Sequence, residues 1–214
     1  WKVAESSAAP LTPDQTAHLD ELTRRYCERT RASKSYAQRH RKHLADNRVV
    51  AGFRALTKEM HYPLVSQAAS GSRMWDIDGN EYIDVTMGFG VNLFGHNPPF
   101  VTDAIASQLS RGMQLGPQAD LAGEVAELIC ELTGNERAAF VSTGTEAVMI
   151  ACRLARAATG RDTIVVFNGA YHGQHDSTIA VTNPETGDVQ AIPGVPGVSR
   201  NAVADTVMLN YDDP

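Results

Sequence analysis

The sequence is short of several things, and each shortage removes a class of protein. It has three cysteines, Cys27, Cys130 and Cys152. They are odd in number and far apart, so they make neither a disulfide framework nor the paired spacing of a metal site. No apolar run approaches the roughly 18 residues that cross a bilayer. Residues 1–10 lack a charged start followed by an apolar stretch, so no signal peptide is visible, and no Asn-x-Ser/Thr sequon occurs. These features lead to the expectation of a cytoplasmic protein that does not engage a membrane. Excess positive charge is also missing. The formal net charge is -6 and the pI about 5.6, which argues against a general nucleic-acid surface. There is no initiator Met, so the chain is expected to be part of a longer polypeptide.

Familiar catalytic signatures are missing too. Gly88-x-Gly90 is no dinucleotide fingerprint, because Leu93 stands where the third glycine belongs. No Walker phosphate loop is present, and Ser142 lacks the Gly-x-Ser-x-Gly setting of a hydrolase nucleophile. His172-x-x-His175 with Asp176 offers two ligands without an obvious third, so no metal is expected. What remains is ordinary globular material. With 43% hydrophobic and 21% charged residues in 214, the chain can bury a real core in one large or two small domains.

Along the chain, residues 1–13 are small, polar and proline-punctuated, and read as a linker. Thr12-Pro13-Asp14 is a helix start, and a charged helical lead-in is expected over 14–61, helical to about Asp46. Leu19, Leu22, Tyr26 and Cys27 supply a narrow apolar stripe. Arg39-His40-Arg41-Lys42-His43 is the most basic patch, read as a solvated face or a docking surface. Residues 62–97 form a hairpin segment: Met74 to Val85 is two alternating runs around Asp78-Gly79-Asn80, whose glycine tolerates positive φ. Helices are predicted over 98–110 and 118–133, the second closed by Gly134. A strand at Ala138–Val141, a helix over Glu146–Ala158 and a strand at Thr163–Phe167 make a βαβ unit, which implies a parallel sheet. The helix carries Ala147, Ile150, Ala151, Leu154, Ala155 and Ala158 on one face. Residues 182–204 read as a long loop, and Thr206–Leu209 as a further strand. The fold class is α/β, with residues 98–214 the first part of a larger domain.

The turn Thr143-Gly144-Thr145 opens a helix, where unpaired N–H groups and the positive end of the dipole favour an anion. Alone, such a turn is more often a plain capped helix. Tyr171-His172-Gly173 follows the next strand. In a parallel crossover both turns sit at the carboxyl edge, where open α/β sheets bind ligands. A phosphate cradle beside an aromatic ring suits a planar phosphorylated cofactor, although Tyr171 by itself would equally be a half-buried core tyrosine.

These residues resemble a family. Phe140-Val141-Ser142-Thr143-Gly144-Thr145-Glu146-Ala147, Arg153-Leu154-Ala155-Arg156, Thr159-Gly160-Arg161-Asp162 and Asn168-Gly169-Ala170-Tyr171-His172-Gly173 are similar to glutamate-1-semialdehyde aminomutases and related class III aminotransferases. So are Trp75 to Asp84 and Gly95-His96-Asn97-Pro98, and the similarity runs over about 62–214. It implies a fold type I transferase dependent on pyridoxal 5'-phosphate (PLP), with an N-terminal helical and hairpin segment followed by the start of a mostly parallel sheet with flanking helices. By that resemblance Gly144 and Thr145 bind the PLP phosphate with Thr143 assisting. Tyr171 stacks on the ring, His172 supports the site, and Glu146 lies close to the cofactor without acting as a base. Gly88, Phe89 and Gly90 would line the substrate pocket; the aminomutases usually carry serine and tryptophan at the first two. The upstream stretch from Ser33 through Arg41-Lys42, Leu44 to Arg48, Ala51 to Arg54, Lys58 to Met60 and Tyr62-Pro63 resembles the lead-in of aminotransferase domains embedded in hybrid polyketide/nonribosomal-peptide synthases. That implies transfer from an amino acid donor to a β-keto acyl thioester on an acyl carrier domain, by a homodimer. PLP chemistry also needs a lysine. The lysines here are Lys2, Lys34, Lys42 and Lys58, all upstream of the sheet, so no catalytic residue is expected within this chain. An aminomutase and a noncatalytic docking segment are the alternatives.

Overall fold

The computed structural model describes residues 10–45, 53–113 and 116–211. The chain divides into two compact units, residues 1–115 and 116–214. Residues 1–9 of the expected linker lie outside the described residues, as do Asp46, Asn47, Arg48, Ala51 and Gly52 of the lead-in motif.

In the first unit, α1 (Pro13–Arg29) opens with a capping box. Thr12 Oγ1 accepts the Gln15 N–H, and the Gln15 side chain accepts the Thr12 N–H, which satisfies two otherwise orphaned donors. One continuous helix is expected from the charged stretch that follows. Instead the helix breaks at Thr30 (φ -120°, ψ 38°) and restarts as α2 (Arg31–His40). The cause lies far along the chain. The Asp78 carboxylate accepts the Ala32 and Ser33 N–H groups and the Ser33 hydroxyl, so a hairpin turn caps α2. From the same turn, Asn80 Nδ2 donates to the Arg29 carbonyl. Thr30 Oγ1 donates back to the Tyr26 carbonyl and pairs with the Tyr62 hydroxyl at 2.6 Å. Thr30 and Ser33 are buried at this junction.

The hairpin belongs to an antiparallel meander of β1 (Ser66–Ser70), β2 (Arg73–Asp76) and β3 (Glu81–Ile83). Its turn runs through Gly79 at φ 82°, as the Asp-Gly-Asn sequence leads one to expect. Asp76, 2% exposed, organises that turn by accepting from the Asp78 and Asn80 N–H groups, Asn80 Nδ2 and the Tyr82 hydroxyl. Burial pushes its carboxyl up, but the Asn80 and Tyr82 hydrogen bonds outweigh that and hold it below the usual range. Burial and the Asp76 charge push the Tyr82 phenol up to about 12. Helix α3 (Pro99–Arg111) follows.

In the second unit, α4 (Leu121–Thr133) ends at Gly134 and α5 (Gly144–Thr159) at Gly160, both glycines left-handed, the usual helix stop. Strand β4 (Ile164–Phe167) pairs in parallel with β7 (Thr206–Leu209), and β5 (Ala180–Thr182) pairs antiparallel with β6 (Ala191–Pro193). The core is Val166, Ala191, Val203 and Met208, with Ile164, Ala180 and Val198 against it. Two expectations are corrected here. Ala138–Val141 is not a strand; a strand exists by pairing, and this stretch has no partner among the described residues. Residues 182–204 are not one loop. They hold β6 and a 3-10 turn at Arg200–Val203, because Ala191 and Val203 are drawn into the core despite their Pro- and Gly-rich surroundings. The alanine face of α5 is largely open, with Leu154 64% exposed.

Replacing the remote cap tests the account of the α1–α2 break. Asp78→Ala should lower unfolding stability by about 1–2 kcal/mol, the usual cost of a lost helix cap, read as a shift of the urea midpoint. An unchanged midpoint would show that the break does not depend on this carboxylate.

Candidate functional site

The first turn of α5 starts from Thr143, extended at φ -142°. Its hydroxyl accepts the Glu146 N–H at 3.2 Å and its carbonyl the Ala147 N–H at 3.1 Å. Glu146 reaches back: one carboxylate oxygen accepts the Ser142 and Thr143 N–H groups, each at 3.0 Å, and the Thr143 hydroxyl at 3.3 Å. Its charge is therefore met by donors on the loop side and held in a cap. That leaves Gly144 and Thr145, whose N–H groups make no hydrogen bond among the described residues. Two free donors at the positive end of a 16-residue helix favour an anion.

Residues 168–174 meet this turn. Thr145 Oγ1 accepts the Gln174 N–H at 3.1 Å. Gly173 is buried at φ 91°, and a Cβ there would stand 2.7 Å from Thr145 Oγ1 and 2.9 Å from Thr145 Cα. Only glycine permits both the conformation and the approach. The segment leaves the carboxyl end of β4, beside that of β7: the Asn168 N–H donates to the Leu209 carbonyl at 2.8 Å, and the Phe167 ring stacks on Tyr211. This is the edge at which open α/β sheets bind ligands. Thr143, Gly144, Thr145, Glu146, Tyr171, His172 and Gly173 thus sit on two abutting turns of one unit. The Tyr171 ring is 75% exposed, its hydroxyl accepting from Gln174 Nε2 at 3.1 Å. His172 presents the opposite case. Its Nε2 is buried and has no hydrogen-bond partner among the described residues, an arrangement that calls for one. His175 bonds Ser177 through Nδ1, and among the described residues no group of three or more His, Cys, Asp or Glu could hold a metal. No helix among them is long and apolar enough to cross a membrane.

Gly88, Phe89 and Gly90 lie in the first unit, on the loop between β3 and α3. Met87, Gly88, Phe89 and Gly90 are consecutively left-handed, at φ 46°, 60°, 59° and 90°, and Phe89 is 96% exposed. Sequence reasoning assigned no role to the pair beneath them, Asp84 and His96, whose side chains meet at 2.8 Å. The Met87 N–H, then the His96 ring and the Thr86 N–H, hold the Asp84 carboxyl below its ordinary range. Among the lysines, Lys34 pairs with Glu59 at 3.0 Å.

Comparison with known proteins gives a consistent picture. The family model described as aminotransferase class-III matches residues 55–213. The glutamate-1-semialdehyde 2,1-aminomutase of Chloroflexus aggregans is 41% identical over 152 residues, covering 71% of this chain and 34% of that protein. Of solved structures, a glutamate-1-semialdehyde aminomutase from Pseudomonas aeruginosa PAO1, a lysine-to-alanine variant in complex with PMP, superimposes with a TM-score of 0.75 at 27% identity. It covers 95% of this chain and 44% of that one. A β-phenylalanine aminotransferase from Variovorax paradoxus gives 0.72 at 29%, covering 94% and 42%. The chain spans about a third of the length of the curated relatives it matches.

The contact between the two turns generates a test independent of any ligand. Gly173→Ala should destabilise the protein by about 1–3 kcal/mol, the usual cost of holding a residue in an unfavourable backbone region, with the added push of Cβ on Thr145. Thermal denaturation reads it, and a wild-type transition would show that the turns part without cost.

Proposed function

Because the chain belongs to the class III aminotransferases, we propose that its residues 142–146 and 171–173 hold PLP in an amino-group-transferring enzyme of the glutamate-1-semialdehyde aminomutase type. The observation that carries this reading is the abutment of a helix start with two free N–H groups against a turn bearing an exposed aromatic ring. The residues fit such a cofactor. Gly144 and Thr145 offer the phosphate its donors, and Tyr171 offers a face for the ring. The unpartnered Nε2 of His172 would take or give a hydrogen bond to the cofactor or to a water beside it. Glu146, held in its cap, keeps the turn in shape and moves no proton.

Bound there, PLP supplies the electron sink through which an amino group passes from donor to carbonyl acceptor. The chain's own part is to anchor the phosphate and align the ring. None of its four lysines lies beyond Lys58, so the reactive lysine is assigned to a part of the enzyme outside residues 116–214. The functional assembly is taken to be a homodimer.

A second reading keeps the expected acceptor, a β-keto acyl thioester on a carrier domain. It is favoured by the loop: glycine at 88 and phenylalanine at 89 give a longer, more apolar acyl chain room and a wall. The solved aminotransferase for β-phenylalanine supports amino transfer at a β-carbon as an option for this fold. None of these relatives is described as a carrier-dependent synthase, and the aminomutase reading has the larger support. Assaying the full-length enzyme with glutamate 1-semialdehyde and with a carrier-loaded 3-oxoacyl thioester separates the two. Faster turnover of the thioester would make the carrier-bound acceptor the preferred substrate and displace the aminomutase reading.

The phosphate assignment has its own test. Proline is tolerated at the first helical position and deletes one N–H, so Gly144→Pro in the full-length enzyme should keep the helix and weaken PLP. A charge-assisted hydrogen bond contributes about 1.5–3 kcal/mol, so the loss should be at least about tenfold in a PLP titration followed by absorbance. Unchanged affinity would put the phosphate elsewhere.

A further inference from the structure

The loop carrying Gly88-Phe89-Gly90 is closed at its base twice over. Its two ends are pinned to the single turn between β1 and β2. At one end the Asp84 N–H donates to the Ser72 carbonyl at 2.9 Å. At the other, His96 and Gly71 exchange both backbone hydrogen bonds, at 2.9 and 2.8 Å. Gly95 is required for this approach, since a Cβ there would stand 2.9 Å from the Gly71 carbonyl oxygen. Asn97 Nδ2 adds a bond to the Ala69 carbonyl at 2.6 Å.

Side chains then close the second ring. Asp84 Oδ1 accepts the Thr86 and Met87 N–H groups at 2.8 and 2.9 Å, and its Oδ2 meets His96 Nε2 at 2.8 Å. On the far side of the imidazole, Asn92 Nδ2 lies 3.3 Å from Nδ1. One arrangement satisfies all of these at once: a neutral ring that donates from Nε2 to Asp84 and accepts at Nδ1 from Asn92, a tautomer assigned from the network. The ring is thus a strut from the far end of the loop to its first turn, with 18% of the His96 side chain and 12% of the Asp84 side chain exposed.

What the strut supports is strained. Met87 and Phe89 are not glycine, yet both are left-handed, a conformation that persists only where surroundings over-determine it. The Phe89 N–H bonds the Thr86 carbonyl, and the Gly90 and Asn92 N–H groups bond that of Met87. The Asp84 carboxylate fixes the Thr86 and Met87 N–H groups just before. The outcome is a rigid turn that holds an apolar ring almost wholly in solvent.

We propose that Asp84 and His96 are positioning residues that lock the 86–94 loop so that Phe89 is presented, preformed, as the apolar wall of the substrate site. The proposal rests on the reading that residues 88–90 face substrate in a PLP-dependent amino-transferring enzyme. Neither residue touches the reacting atoms. Their effect is to remove the ordering that substrate would otherwise impose on the loop, so they act on substrate affinity and not on the chemical step.

The test uses the full-length enzyme, with hydrogen exchange over residues 86–94 and steady-state kinetics on glutamate 1-semialdehyde. In His96→Ala, exchange in the loop should speed up and KM rise, each by about tenfold, with kcat within about twofold of the parent, the signature of lost uniform binding. PLP affinity should not move. In His96→Gln the side-chain amide can take the place of the Nε2 donor, so both readouts should return to near parental values. That rescue also guards against misfolding of the alanine variant. Parental loop exchange in His96→Ala would overturn the lock. Faster exchange with an unchanged KM, or a glutamine variant as impaired as the alanine one, would overturn the positioning role. A parent enzyme that transfers no amino group would instead remove the functional reading itself, and it is told apart because the exchange measurement does not depend on turnover.

Discussion

Four N–H groups open every α-helix without an internal partner, and the candidate site depends on how α5 distributes its four. The Glu146 carboxylate takes that of Thr143 and the Thr143 hydroxyl takes that of Glu146; Gly144 and Thr145 keep theirs. Had the cap been looser, all four would point at water and the turn would wander. Had it been tighter, no donor would remain for a ligand. The Glu146 carboxylate sets the balance by binding backward, to Ser142 and Thr143, where its charge steadies the approach to the helix instead of filling its mouth. Gly173 can then press against Thr145 because that residue's backbone is already held.

The same device recurs in the first unit. Asp76 accepts four donors in the hairpin turn, Asp78 caps α2 from a distance, and Asp84 gathers the Thr86 and Met87 N–H groups. Each carboxylate is aimed at backbone N–H groups that regular structure leaves unpaired. A charge-assisted bond of this sort is stronger than a neutral one, and acceptance of several at once keeps Asp76 and Asp84 ionised below the usual range. Such acids hold turns together.

Features built from neighbours in sequence were legible before any coordinates. The Asp78-Gly79-Asn80 hairpin, the glycine stops at 134 and 160 and the start of α5 all follow from local chemistry. Features set by distant partners were not. Nothing in residues 28–33 announces a break, because the carboxylate that restarts the helix is Asp78, 45 residues beyond Ser33. Ala138–Val141 has the composition of a strand without the pairing that makes one. Ala191 and Val203 were hidden inside a stretch whose prolines and glycines dominate its average, although they are half of the buried core of their unit.

That division also explains why the proposed cofactor turns and the 86–94 loop, each in its own unit, differ in how far the sequence carries them. The cofactor turns are two short segments whose residue types nearly dictate their conformation: a Thr-Gly-Thr helix start and a glycine that must be left-handed. In the 86–94 loop, glycine and phenylalanine at 88 and 89 could adopt many shapes, and the side chains that select one shape sit at 84 and 96. Gly95 and His96 were recognisable as a motif, but a motif gives the residues without what they hold. Their meaning appears only when Gly71 and Ser72 are seen to receive both ends of the loop, because a strained turn needs its ends fixed before its tip can be. The residue types at 88 and 89 therefore set what the tip of this loop presents, whereas Asp84 and His96 bear on whether that tip has a defined shape at all.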